Sequence, residues 1–170
     1  MRLIVNRILP LVVIPAACLL GTASCSKSSN NNNSSSESMT ASINNTAWAA
    51  NSGVGGSFTV ADSTFDIAGA EIKSGDTTGF SITFYPPITV NKAFNSDTTS
   101  TIDVQYADAK TGALYDGGIL AGHSVLTITS YNTSNYTIGG TFSGVLYNTS
   151  TFADSIMVTN GKFNLSFTAN

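Results

Sequence analysis

The sequence predicts an all-β domain, with an antiparallel β-sandwich of about 8–10 strands as the preferred fold and a partly closed β-barrel as the alternative. Three observations lead to this prediction. From Met39 onward several segments alternate apolar and polar residues with period two. No segment there keeps a helical period over three turns. Clusters of Asn, Gly, Ser and Thr separate the alternating segments, and these residues favour turns.

The alternation predicts strands rich in Thr, Val, Ile and aromatic residues, which suit a half-buried pleated surface. They are expected at 39–43, 47–50, 56–61, 64–73, 79–85, 101–107, 125–131, 136–147 and 155–168, with a shorter one near 113–115.

The pair Asn44-Asn45 predicts a two-residue hairpin turn, because Asn tolerates a positive φ. This register places Ala41 opposite Trp48, so that Ile43 and Trp48 share a face. We therefore expect Trp48 to anchor the core.

Two further turns are predicted from side-chain parity, that is, from the requirement that the large apolar side chains of a strand all point to one face. A three-residue loop at 133–135 places Leu126 opposite Phe142 and gives Asn135 the left-handed conformation; a four-residue loop would scatter the apolar residues over both faces. The pair Asn160-Gly161 is interpreted as a β-bulge inside one long strand, because one extra residue there keeps the large apolar side chains on one face. A tight hairpin at Asn160-Gly161 is the alternative.

Residues 1–24 have the three parts of a secretory signal peptide. Two arginines and no acid come first, an apolar run follows at 8–20, and the small residues of 21–24 precede Cys25. A membrane-spanning helix needs about 20 apolar residues, and the run at 8–20 is shorter and contains two prolines.

The stretch Leu20-Gly21-Thr22-Ala23-Ser24-Cys25 resembles the lipobox of bacterial lipoproteins. This resemblance implies cleavage before Cys25, attachment of diacylglycerol to its sulfur and acylation of its amine, commonly with palmitate. Two or more acyl chains anchor a protein stably to a membrane. Cys18 is the competing candidate, and the proline three residues before it makes it the poorer match.

Residues 25–38 form the lipidated cysteine and a Ser/Asn-rich linker, and 39–170 form a single domain. The linker has no apolar residue after Cys25, so we expect a disordered tether with a reach of roughly 20 Å. By resemblance to well-studied lipoproteins, Ser26 is compatible with sorting to the outer membrane. The sequence leaves open whether the domain faces the periplasm or the cell surface.

Composition argues against several classes of partner. Only 10% of the residues are charged, and the net charge of −3 becomes −5 once Arg2 and Arg7 leave with the signal peptide. An acidic domain without a basic patch is a poor partner for nucleic acid or for electrostatic docking to anionic lipid. Both cysteines precede residue 39, so the domain has no disulfide, thiolate nucleophile or Cys-ligated metal.

Candidate chemistry is sparse. His123 is the only histidine; it cannot build a multi-histidine zinc site, and we expect an exposed loop residue. Asp108 and Asp116 bracket an oxygen-rich loop whose spacing does not match an EF-hand, so a solvated turn is favoured over a calcium site. A glycosidase-type acid pair could come from four residues near strands, although nothing selects two of them: Asp62, Asp66, Glu71 and Asp103.

Aromatic residues give one further hypothesis. Several tyrosines on one exposed face would supply flat apolar surface for sugar rings. The six are Tyr85, Tyr106, Tyr115, Tyr131, Tyr136 and Tyr147. Four Asp-Ser/Thr pairs also resemble an O-glycosylation signal of periplasmic Bacteroidetes proteins, at residues 62–63, 76–77, 97–98 and 154–155.

Strand and turn motifs from residue 39 onward resemble a family of uncharacterised lipoprotein domains of the Bacteroidetes type. They include Leu126-Thr127-Ile128-Thr129-Ser130-Tyr131-Asn132 and Ile138-Gly139-Gly140-Thr141-Phe142-Ser143-Gly144. The resemblance implies a fold but no activity and no catalytic residue. We therefore expect a lipid-anchored, non-enzymatic binding or interaction module without cofactor or metal, whose partner is a glycan or an envelope protein. A carbohydrate-binding domain and a hydrolase with an unrecognised acidic site are the alternatives.

Overall fold

The computed structural model describes residues 37–97, 101–118 and 122–170. The predicted signal peptide, Cys25 and the linker up to residue 36 lie outside the described residues. The described part is all-β, as predicted, and contains no α-helix.

Eleven strands follow one another along the described chain. They are β1 (Ser38–Ile43), β2 (Thr46–Ala49), β3 (Ser52–Thr59), β4 (Thr64–Lys73), β5 (Asp76–Phe84), β6 (Ala93–Asn95), β7 (Ile102–Asp108), β8 (Ala113–Asp116), β9 (His123–Asn132), β10 (Thr137–Asn148) and β11 (Ser155–Ala169). All ten predicted strands are present within a few residues of their predicted bounds. The three-residue β6 was not predicted, because it is too short to show an alternation.

The strands form one sheet in the order β2-β1-β11-β3-β4-β5-β7-β8-β10-β9-β6, and β11 also pairs with β10. The hydrogen bonding therefore returns on itself through β11, while β1–β2 and β9–β6 branch outward. This arrangement fits the predicted sandwich or partly closed barrel. All pairings are antiparallel except β11 with β3, where Phe167 lies opposite Gly56 in a parallel register.

Alternate residues of each strand point to the same face of the sheet, and the core lies on that face. Trp48 is only 4% exposed and packs edge-on against Phe80, with 4.8 Å between ring centroids, which confirms it as a core residue. Such aromatic pairs add about 1 kcal/mol to the stabilisation from burial itself. The largest fully buried apolar side chains are Phe65, Phe84, Met39, Ile67, Ile82, Leu126, Ile128, Ile138, Leu146, Val104 and Val158.

The first predicted hairpin is confirmed. Asn44 and Asn45 both have positive φ, at 49° and 67°, and the register places Ala41 opposite Trp48. Two consecutive residues with positive φ give the turn whose twist matches that of the flanking strands.

The loop between β9 and β10 combines a correct pairing with a wrong turn. Leu126 does lie opposite Phe142. However, the ladder begins with Asn132 opposite Thr137, so the loop has four residues rather than three. Tyr136, with φ of 51°, takes the left-handed conformation that was expected for Asn135.

A bulge in β9 explains how the four-residue loop keeps the predicted parity. Ser130 lies opposite Gly139 and Ile128 lies opposite Gly140, so Thr129 is an extra residue between them. The bulge restores the apolar residues of β9 to the core face. The sequence prediction compared loop lengths without a bulge in β9. It therefore gave the wrong loop length but the correct set of core residues.

The predicted bulge at Asn160-Gly161 is confirmed. Gly161 lies opposite Phe142 and Val158 lies opposite Gly144, so β11 carries one extra residue, and Asn160 has φ of 54°. A Cβ atom on Gly161 would lie 2.4 Å from the backbone oxygen of Phe142 and 2.7 Å from its ring. The bulge therefore needs glycine at this position.

We expect Gly161→Ala to lower the free energy of unfolding by about 2–3 kcal/mol, because the added methyl group overpacks the contact with Phe142. Gly55→Ala is the matched control: it also lies in the sheet, but its Cβ would meet nothing within 4 Å. Urea unfolding of both variants tests this, and equal stability of the two would contradict the role of the bulge.

Candidate functional site

The two-residue turn between β4 and β5 borders a surface groove. Ser74 and Gly75 both have positive φ, and Lys73 lies opposite Asp76 across the turn. This register sets Glu71 opposite Thr78. The groove holds about 340 Å³ and is lined by Glu71, Lys73, Ser74, Asp76 and Thr78; we call it the Glu71–Thr78 groove.

Thr78 connects this groove to the aromatic core. Its Oγ1 accepts a hydrogen bond of 2.9 Å from Nε1 of Trp48. The half-buried ring of Tyr106 lies 5.0 Å from Phe80 and 6.2 Å from Tyr115, measured between centroids. A ligand that contacts Thr78 in the groove would therefore meet a side chain that is hydrogen-bonded to the aromatic core.

The electrostatics of the Glu71–Thr78 groove are mixed but mainly acidic. Burial raises the pKa of the Tyr106 phenol; a side-chain hydrogen bond with Thr78 opposes the rise, and the carboxylates of Asp108 and Glu71 add to it. Nζ of Lys110 lies 2.8 Å from Oδ2 of Asp76 in an exposed ion pair. Carboxylates, a hydroxyl group and an ammonium group within one concave surface suit a hydroxyl-rich ligand better than an apolar one.

A second polar cluster joins Asp103 on β7 to Asp116 on β8. Nε2 of Gln105 donates to Oδ2 of Asp103 at 2.8 Å and lies 3.1 Å from Oδ2 of Asp116. Asp116 is only 6% exposed, and its Oδ1 accepts a hydrogen bond of 2.7 Å from the backbone N–H of Gly118. The structure therefore brings together two acids that the sequence assigned to separate hypotheses.

These two carboxyl groups cannot both ionise easily. Burial, the charge of Asp116 and a side-chain hydrogen bond with Asp116 raise the pKa of Asp103 to about 7, and the hydrogen bond with Gln105 opposes the rise. Oδ1 of Asp103 is buried and has no hydrogen-bond partner among the described residues. A proton on Asp103 relieves the repulsion between the two carboxyl groups.

The raised pKa of Asp103 predicts that the free energy of unfolding falls as the pH rises from about 4 to about 7. In this window the folded protein keeps a proton that the unfolded chain has released. Each unit increase in pH therefore lowers the free energy of unfolding. We expect the stability of Asp103→Asn relative to the wild type to increase by about 4 kcal/mol between pH 4 and pH 8. Urea unfolding over this range measures the difference.

Asp62→Asn is the control for that measurement, because Asp62 lies in the exposed turn between β3 and β4. A constant difference between Asp103→Asn and the wild type at every pH would contradict the raised pKa of Asp103.

The other acids expected near strands do not converge with Asp103. Asp66 accepts a 2.7 Å hydrogen bond from the hydroxyl group of Thr83. Thr83 lies opposite both Asp66 on β4 and Asp103 on β7, so these two acids are two strand spacings, or about 10 Å, apart. Glu71 belongs to the Glu71–Thr78 groove and Asp62 to a turn.

Asp108 and Asp116 do not form a calcium loop in the structure. Asp108 lies opposite Ala113 at one end of the β7–β8 hairpin, whereas Asp116 lies opposite Gln105. Oδ1 of Asp108 accepts a 2.9 Å hydrogen bond from the backbone N–H of Lys110 and so stabilises the turn. Within residues 37–97, 101–118 and 122–170, no three His, Cys, Asp or Glu side chains are grouped as a metal site would require.

His123 begins strand β9 rather than lying in a loop. Its Nδ1 is 2.5 Å from Oδ2 of Asp97, and both side chains are about half exposed. The histidine therefore belongs to a surface pair that joins the start of β9 to the segment after β6.

The tyrosines form two pairs and two separate residues. Tyr106 and Tyr115 contact each other, whereas Tyr131 and Tyr136 both contact Phe167. Tyr85 is exposed after β5, and Tyr147 lies opposite Asp116 on β10. Of the four Asp-Ser/Thr pairs, the one at 97–98 extends beyond the described residues.

Sequence reasoning missed the pairing of Glu71 with Thr78, although a signal for it is present. The dipeptide Ser74-Gly75 between two alternating segments predicts a two-residue turn, and that turn alone fixes the register.

Comparisons with protein-family models, with curated proteins and with solved structures found no match. The described residues include no helix long and apolar enough to span a membrane.

Proposed function

We propose that this chain is a lipid-anchored protein of the cell envelope that acts as a non-enzymatic binding module. The observation that carries the proposal is the lipobox-like stretch ending in Cys25, which is followed by a polar linker and then by strands from Ser38 onward. The order of signal, tether and domain is that of a protein held at a membrane surface. By resemblance to well-studied lipoproteins, Ser26 after the lipidated cysteine supports an outer-membrane location.

We expect the mature protein from its native membrane to begin at an acylated Cys25. Intact-mass analysis measures this directly. The variant Cys25→Ala should lose the acyl mass, whereas Cys18→Ala should keep it, because Cys18 leaves with the signal peptide. An unmodified mature wild type, or one beginning at Cys18, would contradict the anchor.

Carbohydrate is the ligand class that the Glu71–Thr78 groove favours. Sugar hydroxyl groups exchange hydrogen bonds with carboxylates and hydroxyl groups, and sugar rings pack against aromatic faces. Glu71 and Thr78 supply polar atoms, while Tyr106 lies next to them on the core side. The groove volume is at the lower end of the range for small-molecule sites.

The indole of Trp48 gives a direct measurement of such binding, because it is the only tryptophan and donates to Thr78. We expect neutral hexasaccharides of glucose or xylose to shift Trp48 fluorescence in a saturable way. Glu71→Gln should weaken binding about tenfold, which corresponds to the loss of a charge-assisted hydrogen bond of about 1.4 kcal/mol.

Asp62→Asn serves as the control and should leave the affinity unchanged. Equal affinities of Glu71→Gln and the wild type would remove the groove as the binding site. Cleavage of the oligosaccharide during the titration would support the hydrolase alternative instead.

A further inference from the structure

One end of the sheet combines exposed apolar side chains with few charges. Strands β3, β5, β9 and β11 finish there, and β4, β7 and β10 begin there. Three backbone hydrogen bonds join the connecting segments: Val60 N–H to the Asn170 carbonyl, Tyr85 N–H to the Thr101 carbonyl, and Phe167 N–H to the Tyr136 carbonyl. We call residues 60–63, 85–90, 132–136 and 168–170 the aromatic end.

Large apolar side chains project into solvent at this end. Val60 is 61% exposed, Tyr136 is 51% exposed and Tyr85 is 43% exposed. The Tyr136 ring packs edge-on against the buried ring of Phe167, 5.6 Å away, and Phe167 stacks on Tyr131. The exposed ring of Tyr136 therefore has support from the core.

The turns at both ends of the sheet carry little charge. Asp62 is the only charged side chain of residues 60–63, 85–90, 132–136 and 168–170, and the turns of the opposite end, at 74–75, 109–112 and 149–154, carry Lys110 and Asp154. The adjoining strand residues add Asp66 and Asp103 at the aromatic end, and Glu71, Lys73, Asp76 and Asp108 at the opposite end, where Ile72 and Phe152 are exposed. The aromatic end therefore carries fewer charged side chains than the opposite end, and none of them is a lysine.

The chain also enters the folded domain on the side of the aromatic end. Ser38 lies opposite Asn164, and Oε1 of Glu37 accepts a hydrogen bond of 3.2 Å from the backbone N–H of Ser166. Ser166 directly precedes Phe167. Residues 26–36 separate this point from Cys25, and the polar tether predicted from their sequence would reach roughly 20 Å.

We propose that the aromatic end rests on the lipid headgroup region of the membrane that holds the anchor. Tyrosine is enriched at such interfaces, because its ring is apolar and its hydroxyl group remains in contact with water. The tether makes docking an intramolecular event, so a weak surface is sufficient. Docking relies on apolar contact and not on charge, which agrees with the acidic composition. It also directs the Glu71–Thr78 groove away from the lipid.

This inference rests on the lipidation proposed above, and one experiment separates the two. The folded domain has no cysteine, and acylated Cys25 does not react with maleimides. A single cysteine is therefore introduced at Thr133→Cys, at the aromatic end, or at Ser150→Cys, at the opposite end. The full-length lipidated protein is labelled with an environment-sensitive fluorophore. It is then placed in phosphatidylcholine vesicles that carry nitroxide-labelled phosphatidylcholine.

We expect the nitroxide lipid to quench the label at position 133 and not the label at position 150. Adding Val60→Ser and Tyr136→Asn should abolish the quenching at 133. The matched control adds Ile72→Ser and Phe152→Asn and should preserve it. Phe152 is well matched to Tyr136, because both are 51% exposed and have φ near 50°.

Intact mass is measured on the same samples. Equal quenching at both positions, or quenching at neither, in a sample whose mass shows acylated Cys25 overturns the docking while the anchor stands. A sample without acyl mass overturns the anchor and the docking together.

Discussion

The fold depends on the hydrogen bonding of β11, which uses both of its edges along almost its whole length. One edge pairs with β10, and the other pairs first with β1 and then, in parallel, with β3. Because β3 leads through β4, β5, β7 and β8 back to β10, the pairings of β11 with β3 and with β10 close the sheet. Because of the bulge at Asn160-Gly161, the apolar residues before it and after it point to the same core face. Ile156 and Val158 precede the bulge, and Phe163, Leu165 and Phe167 follow it.

Local patterns predicted the strands well, because a period of two records which face of a strand is buried. The hairpin at Asn44-Asn45 followed from the tolerance of Asn for a positive φ, and the bulge at Asn160-Gly161 followed from the same alternation. Parity failed at the β9–β10 loop, since the bulge at Thr129 compensates for the longer loop and leaves the core pattern unchanged. The parallel pairing of β3 with β11 has no local signature at all.

The candidate sites were predictable only where a hairpin fixes their geometry. Glu71 and Thr78 face each other because of the Ser74-Gly75 turn, so their proximity was accessible from the sequence. Asp103 and Asp116 meet across the β7–β8 hairpin with Gln105 between their carboxyl groups. That contact depends on the direction and burial of the side chains, which cannot be predicted from composition and residue spacing. The repulsion between these acids is local, whereas the scarcity of charge at the aromatic end concerns a whole surface.

The parallel contact between Gly56 and Phe167 has a kinetic consequence. All the residues from 57 to 166 lie between these two partners, so the closing contact has nearly the largest sequence separation that this domain allows. Contacts of this kind form slowly, since the loop-closure entropy is lost before the contact stabilises the chain. Neighbouring hairpins such as β4–β5 can form early, but the sheet cannot close until β11 is available. A chain with this topology therefore stays open until its last strand is available, longer than one whose first strands complete its core.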